Sequence, residues 1–333
     1  MALAEMNEEE LIQRLGPVFQ PYAARKIAEA RNTGQRFVHY TSCDAAISII
    51  ENNSMWLRNA TLMNDFSEIQ HGLGCLRAYW QTERGETLRQ AIAAINPQGV
   101  DALVTAFDSN VFNLLNNTFL ISVSEHDPSE DEFGRLSMWR AYGQRTGAAL
   151  VFNNGPILSP TNAISAVSIP VMYAFSEGFA DHMDEIAAKL VDEGDLLREI
   201  EAAQLAHDGR SLISENMEQV FRHACVATKH PGFREEREWR VVYQPGLNPT
   251  QPDRIAPATC TLGGIPQNIH KLFFQNYPDE GFVGATLPEI LSRVIIGPTA
   301  HPYVVFTRMF DALQAKGVDT NNLLINSHIP LRH

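Results

Sequence analysis

The chain has 333 residues, of which 44% are hydrophobic and 20% charged, as is typical of a globular protein with a substantial core. Its formal net charge of −13 argues against whole-protein attraction to nucleic acid or to an anionic membrane. The four cysteines form no Cys-x-x-Cys pair, which argues against a zinc ribbon or a disulfide scaffold. An acidic N-terminus without a secretory pattern, and apolar runs too short for a membrane helix, predict a cytoplasmic protein with no membrane contact.

The first half of the chain predicts helices separated by short strands. Apolar residues at helical spacing over 8–31 predict a helix that Gly34 ends, and residues 1–34 are therefore assigned as an N-terminal helical segment. The pattern predicts strands at 37–41, 54–59 and 118–124. It predicts helices from Asp44, from Asn64-Asp65 to Trp80, and over 86–95 and 99–116.

The second half predicts a sheet interrupted by helices. Strands are expected at 147–152, 164–173, 236–243, 291–296 and 323–329, and helices at 136–142, 177–207, 211–228 and 302–315. Regular strand-helix-strand units are absent, which favours an α+β fold with a mainly antiparallel sheet. We expect one α+β domain over residues 35–333, with a helical insertion at about 177–228. No glycine-rich dinucleotide or phosphate loop occurs.

A row of charged residues precedes the apolar end of the 236–243 strand. On a strand, Glu236, Glu238 and Arg240 would share one face, because side chains alternate. Two carboxylates and an arginine in one row resist burial, which indicates an active site. The same row also suits an exposed edge strand protected against aggregation. Both interpretations stay open on the sequence alone.

Three further motifs offer ligand contacts. In His39-Tyr40-Thr41 a histidine stands two residues before a hydroxyl, and the two side chains could hydrogen-bond to a ribose. Alternatively, the histidine binds only a neighbouring carbonyl. The hydroxyls of Ser122 and Ser124 share a strand face and could brace a carboxylate, or lie on the surface. Trp139 and Tyr142 at helical spacing could form a stacking wall, or belong to the core.

Taken in order, these motifs carry a family resemblance. The ordered set is His39-Tyr40-Thr41, Trp56-Leu57, Asn64-Asp65 with Glu68, Ile121-Ser122-Val123-Ser124, Trp139-Arg140-x-Tyr142-Gly143 and Glu236-Arg237-Glu238-Trp239-Arg240. Over about residues 37–300 the chain resembles the bacterial domain-of-unknown-function family twenty-nine seventy-one. That family name implies no activity by itself.

A weaker resemblance does imply an activity. A His-x-Thr strand, a later Ser-x-Ser strand and a late Glu-x-Glu strand are together similar to the ADP-ribosyltransferase pattern. It implies a split antiparallel sheet that binds NAD, as substrate, in a cleft. Glu238 would be the catalytic carboxylate, Glu236 would orient the acceptor, and His39 would lie across the cleft from Glu238.

The remaining residues take supporting roles under this resemblance. His39, with Tyr40 and Thr41, would hold a ribose hydroxyl, and Ser122 and Ser124 would brace Glu238. Either Tyr142 or its neighbour Trp139 would stack on nicotinamide. Arg240 would keep the glutamate ionised, and Arg58 or Arg234 would contact the pyrophosphate. The pattern departs from several transferases in having His39 where those have an arginine.

The leading hypothesis is an NAD-consuming transferase that modifies a protein or nucleic-acid acceptor, as a toxin or defence protein with an antitoxin partner or as a homodimer. It requires no metal. A metal-dependent nuclease is the alternative, with Asp65, Glu236, Glu238 and Lys229 in its site. A third possibility is a non-enzymatic ligand-sensing module in which Trp139 and Tyr142 line a pocket.

Overall fold

The computed structural model describes residues 8–62, 66–247, 253–262 and 264–330, and side chains within this range except those of 8–13 and 66–68. The beginning of the predicted N-terminal segment and the Asn64-Asp65 motif, with the side chain of Glu68, lie outside the described residues.

The helices begin and end close to the residues that the sequence pattern indicates. They are α1 (Glu8–Phe19), α2 (Pro21–Thr33), α3 (Cys43–Asn52), α4 (Phe66–Trp80), α5 (Glu83–Ile95), α6 (Gly99–Asn116), α7 (Leu136–Tyr142), α8 (Ser176–Asp192), α9 (Gly194–Asp208), α10 (Leu212–Ala227), α11 (Leu287–Ile290) and α12 (Pro302–Ala315). Short 3-10 turns cover Ala60–Leu62, Pro128–Glu130, Pro231–Glu236 and Pro278–Glu280.

The strands are short, as expected for a mixed fold. They are β1 (Arg36–Ser42), β2 (Ser54–Asn59), β3 (Phe119–His126), β4 (Gly147–Phe152), β5 (Val167–Pro170), β6 (Met172–Tyr173), β7 (Thr228–Lys229), β8 (Glu238–Tyr243), β9 (Ile255–Leu262), β10 (Ile265–Phe273), β11 (Leu291–Ile296) and β12 (Leu324–Asn326).

The chain divides into two compact units. The first contains residues 1–28, 60–117 and 169–234, and the second contains 29–59, 118–168 and 235–333. We call them the helical unit and the sheet unit.

The helical unit is built from amphipathic helices around a small parallel pair, β6 with β7. Helix α4 packs against α10, and α5 packs against α8. At Gly72 the two helices α4 and α10 approach so closely that an added Cβ would lie 2.5 Å from the Cys225 carbonyl oxygen. None of the helices in the described part of the chain combines the length and the apolar character needed to span a membrane.

The sheet unit is organised by a mixed, mostly antiparallel sheet. Strands follow one another in the order β12-β11-β4-β1-β3-β2-β10-β9, and β8 pairs with β3 outside that row. The pairing of β11 with β12 is parallel, and the pairings of β1, β3, β4, β8 and β10 described below are antiparallel. The predicted α+β class with a mainly antiparallel sheet is thus confirmed at this level.

The core of the sheet unit on one face centres on Trp139. Its ring packs edge-on against Tyr40, with ring centroids 4.8 Å apart, and its indole nitrogen donates to the Phe133 carbonyl at 2.8 Å. The backbone passes so close to the ring that a Cβ added at Gly297 would lie 2.8 Å from it. The indole therefore occupies a closely fitted socket.

Some predicted elements needed correction. The helix predicted over 8–31 is two helices, because Pro21 cannot continue α1 and instead begins α2. The helix predicted over 177–207 is also two, α8 and α9, which meet at Glu193-Gly194. Ser42 rather than Asp44 caps α3, accepting from the Ala45 amide at 3.3 Å. The β9–β10 hairpin was not predicted at all.

Candidate functional site

Strand β3 is the point at which the sheet forks. Along one edge it pairs with β8 from Phe119 to Ser124. Along its other edge it pairs with β2 at its beginning, where Leu120 lies opposite Arg58, and with β1 at its end, where Ser124 lies opposite Val38. Beyond Val38, β1 no longer pairs with β3 but stays paired with β4, its partner from Phe37 to Ser42. The sheet therefore divides at the middle of β3.

Glu238 lies at this division and is held by the side chains of Ser122 and Arg240, the second of which also donates from Nη2 to Oε2 at 3.3 Å. Ser122 Oγ donates to Glu238 Oε1 at 2.6 Å, and Arg240 Nε donates to the same oxygen at 2.8 Å. Antiparallel register explains the meeting, since Ser122 lies opposite Arg240 and Ser124 opposite Glu238. Glu238 is 4% exposed and Arg240 1% exposed. The ion pair supplies the compensating charge that a buried carboxylate requires.

His39, on β1, contacts Ser122, the residue whose hydroxyl binds Glu238. Its Nδ1 lies 2.9 Å from the backbone oxygen of Ser122. A carbonyl only accepts, so Nδ1 carries the proton and Nε2 is the acceptor nitrogen of the neutral ring. Burial lowers the pKa of His39, and the hydrogen bond with the Ser122 carbonyl opposes that shift. His39 and Glu238 are thus linked through one serine, His39 at its backbone and Glu238 at its side chain.

Glu236 does not share the strand face with Glu238, contrary to the sequence prediction. It ends the 3-10 turn Pro231–Glu236, and β8 begins only at Glu238. The residue between them, Arg237, has a φ of 47°, in the left-handed region, so the alternation of a strand cannot extend across it. Glu236 is partly exposed and accepts a hydrogen bond from the Tyr142 hydroxyl at 3.2 Å.

The unusual backbone of Arg237 is held by ionic contacts at its side chain. Its guanidinium pairs with Asp127 and with Glu130, and its carbonyl accepts from the Glu125 amide at 2.9 Å. Asp127 and Glu130 both lie in the acidic segment that follows β3. A residue of this kind in left-handed conformation costs about 1–2 kcal/mol, which the contacts offset.

Arg135 is a functional candidate that the sequence prediction missed. It is 9% exposed and donates to the carbonyl oxygens of Glu235 and Glu125 at 2.8 Å each. The same side chain pairs with Glu130 at 2.9 Å. Arg135 therefore joins the end of β3 to the segment that carries Glu236. Its partners are mostly backbone carbonyls, for which a sequence has no marker.

The structure places Tyr40, Trp139 and Thr41, three further residues predicted to contact the ligand, as follows. Tyr40 is buried, its hydroxyl accepts from the Arg135 amide at 2.8 Å, and burial raises its pKa to about 12. Trp139 is 4% exposed and belongs to the core, as the alternative interpretation of that motif proposed. Thr41 continues β1, opposite Ala148.

The two arginines predicted to contact a pyrophosphate each have a described polar partner. Arg58 Nε lies 3.4 Å from Gln267 Oε1, on the β2–β10 pair. Arg234 belongs to the helical unit, where it donates to the Tyr173 carbonyl at 3.5 Å. Their predicted contact with a pyrophosphate stays a prediction.

The edge-strand interpretation of the charged row does not hold. All six residues of β8 are buried, whereas a protected edge strand exposes its charges. Glu238 and Arg240 neutralise each other inside the sheet unit instead.

The structure describes only part of the residue set of the nuclease alternative. Asp65 lies outside the described residues, and Lys229 belongs to the helical unit, where its Nζ lies 4.9 Å from the centroid of the Phe233 ring. Within the described ranges no group of three or more histidine, cysteine, aspartate or glutamate residues is placed to hold a metal ion.

Residues 138–241 match the model of the family described as protein of unknown function (DUF2971). The predicted resemblance to that family is confirmed over these residues, and its extent over about 37–300 stays a prediction. The DUF2971 match includes Trp139, Tyr142, Glu236, Glu238 and Arg240, and it ends within β8. No curated protein matches the chain, and no solved structure matches it either.

Proposed function

We propose that this protein is an ADP-ribosyltransferase-like enzyme that cleaves NAD and transfers ADP-ribose to a protein or nucleic-acid acceptor. The observation that carries the proposal is the 2.6 Å hydrogen bond from Ser122 to Glu238 at the fork of the sheet. A split, mainly antiparallel sheet with a serine-braced glutamate is what the transferase resemblance implies. A role as toxin or defence protein, with an antitoxin or a second copy as partner, belongs to the same proposal.

Glu238 would act on the charge that develops during the reaction. Loss of nicotinamide leaves a sugar with oxocarbenium-like character, which a fixed anion stabilises. Ser122 Oγ and Arg240 Nε bind Oε1, and Arg240 Nη2 binds Oε2 at 3.3 Å, so the two side chains fix the orientation of the whole carboxylate. A preorganised carboxylate of this kind needs little rearrangement at the moment of bond cleavage.

His39 would contact the ribose of NAD, and Glu236 would contact the acceptor of the ADP-ribose. The neutral His39 ring offers Nε2 as an acceptor for a ribose hydroxyl, because Nδ1 is committed to Ser122. Glu236 is partly exposed and is oriented by Tyr142, which suits contact with the incoming acceptor.

The test measures nicotinamide release from NAD by the full-length protein, with and without a cell extract as source of acceptors. We expect Glu238→Gln to lower the rate by 10²–10³-fold, the usual loss when one electrostatic stabiliser is removed. Ser122→Ala should lower it about tenfold, the equivalent of one hydrogen bond.

Thr307→Ala is the control, since it removes an exposed hydroxyl on α12 that donates to the Tyr303 carbonyl, while the bond from Ser122 to Glu238 remains. Its rate should stay near that of the wild type. Equal rates in the wild type and Glu238→Gln, or no NAD cleavage under any condition, would refute the proposal.

A further inference from the structure

Strand β9 ends the row of strands in the sheet unit and leaves one edge open. In the described part of the chain it pairs along Ile255–Leu262 with β10 and with no second strand. Pro257, Thr259 and Thr261 are exposed, and no residue of the strand is charged. Natural edge strands usually carry a lysine or another charge, which discourages pairing with a further chain. Apart from Pro257, β9 has no such protection.

The register of the β9–β10 hairpin determines which backbone groups face outward. The Phe273 amide donates to the carbonyl of Arg254, the residue opposite, and such bonds recur at every second residue of an antiparallel pair. The even-numbered residues of β9 therefore direct their backbone groups at β10. Thr259 and Thr261 direct theirs outward, where no loop or side chain of the described chain binds them. Such a row of backbone donors and acceptors is matched by another extended strand.

The sequence of this edge fits a second copy of itself. Thr259-Cys260-Thr261 reads the same in both directions, so a two-fold axis through Cys260 places each threonine opposite a threonine of the other copy. Each Thr259–Thr261 pair would exchange both backbone hydrogen bonds, and Thr–Thr pairs are favourable across strands. Pro257, which has no amide hydrogen to donate, falls outside these pairs.

The charge of the edge also suits a second copy. The chain has a formal net charge of −13, so two copies repel each other in general. The neutral segment Ile255–Leu262 brings no like charges opposite each other in the new pair. On the other face of the strand, the same axis places Ala258 opposite Leu262, so apolar side chains also meet.

We propose that two copies of this protein pair antiparallel through β9, with their Cys260 residues opposite each other, so that the two sheets become continuous. The paired segment is short beside the about 20–30 residues a side of a standard interface, so the dimer is weak and its population depends on concentration. The pairing does not depend on the proposed NAD chemistry.

Sedimentation velocity of the full chain from about 1 μM to about 1 mM tests the association. We expect the sedimentation coefficient of the wild type to rise with concentration. Thr259→Lys combined with Thr261→Lys places like charges opposite each other and should weaken association about tenfold. Thr307→Lys combined with Gln314→Lys is the matched control. It makes the same change of charge at exposed positions of α12 and should not weaken association.

Oxidative cross-linking with copper phenanthroline tests the register independently of the lysine variants. Cys260 is partly exposed, whereas the other three cysteines are buried. Opposite residues of a pair that is not hydrogen-bonded lie about 4.5 Å apart at Cα, a distance that a disulfide spans. We expect a covalent dimer of the wild type, and none of Cys260→Ser. Thr307→Cys in the Cys260→Ser background measures cross-linking by random collision and should react more slowly.

Three results would overturn the proposal. The first is a wild type that stays monomeric over the whole concentration range, in which case the edge serves a different strand or none. The second is equal association of the two double lysine variants. The third is cross-linking through Cys260 that is no faster than cross-linking through the cysteine introduced at Thr307.

Discussion

The buried pair of Glu238 and Arg240 makes a quantitative prediction about stability. Arg240→Met removes the cation and leaves a carboxylate that is 4% exposed without its buried guanidinium partner. Breaking a buried pair in this way costs about 3–5 kcal/mol of the free energy of unfolding, because one charge remains in a site of low polarity.

Glu238→Gln perturbs the same pair from the other side. The amide keeps the size of the side chain and an oxygen that can accept from Ser122, but the buried guanidinium loses its counter-charge. We expect a cost of about 1.5–3 kcal/mol, the usual range for a hydrogen bond to a charged group. The double variant carries neither charge, so its cost should be about 2 kcal/mol less than the sum of the single costs.

Urea unfolding followed by tryptophan fluorescence measures these differences. Three of the four tryptophans, Trp56, Trp139 and Trp239, lie in the sheet unit, so the signal reports on the unit that holds the pair. If the costs of the single variants add within about 0.5 kcal/mol, the two side chains are not energetically coupled and the interpretation of the pair is refuted.

Two further predictions concern packing and pH. Gly297→Ala should lower the free energy of unfolding by about 1–3 kcal/mol, because the new methyl would meet the Trp139 ring. Gly155→Ala, where the new methyl meets no atom within 4 Å, should change it little. Equal effects of the two variants on urea unfolding would contradict the close packing around Trp139. Burial lowers the pKa of His182 from 6.5 to about 4, so the unfolded chain takes up the proton first as the pH falls. Stability should therefore decrease between pH 6.5 and 4, by up to about 1.4 kcal/mol per pH unit, and His182→Gln should remove this contribution; an unchanged pH profile in that variant would refute the assignment.

Much of the fold was predictable from local pattern. The bounds of α7, β4, β11 and α12 match the predicted residues because each combines clear apolar periodicity with a glycine or proline at its end. The β9–β10 hairpin was missed for a physical reason. Strand β9 contains Pro257 and alternates small with polar residues, a composition that argues against a strand, and its partner β10 supplies the pairing.

The site was predictable only in part. The contact of Ser122 with Glu238 follows from antiparallel register once two strands are assumed to pair. The position of Glu236 does not, since the left-handed backbone of Arg237 depends on ion pairs with a loop more than 100 residues earlier. Similarly, the position of Arg135 depends on tertiary hydrogen bonds with the carbonyl oxygens of Glu235 and Glu125. Every residue carries a carbonyl oxygen, so no sequence motif marks these partners.

The fork of the sheet has a consequence for local motion. On one edge of β3, the His39 imidazole binds the carbonyl of Ser122. This residue lies between the part of β3 that pairs with β2 and the part that pairs with β1. A ring can swing away by rotation about two side-chain bonds, whereas a strand must unpair several residues together. The contact of His39 with Ser122 can therefore break and re-form without unpairing a strand, because the other edge of β3 stays paired with β8 along six residues.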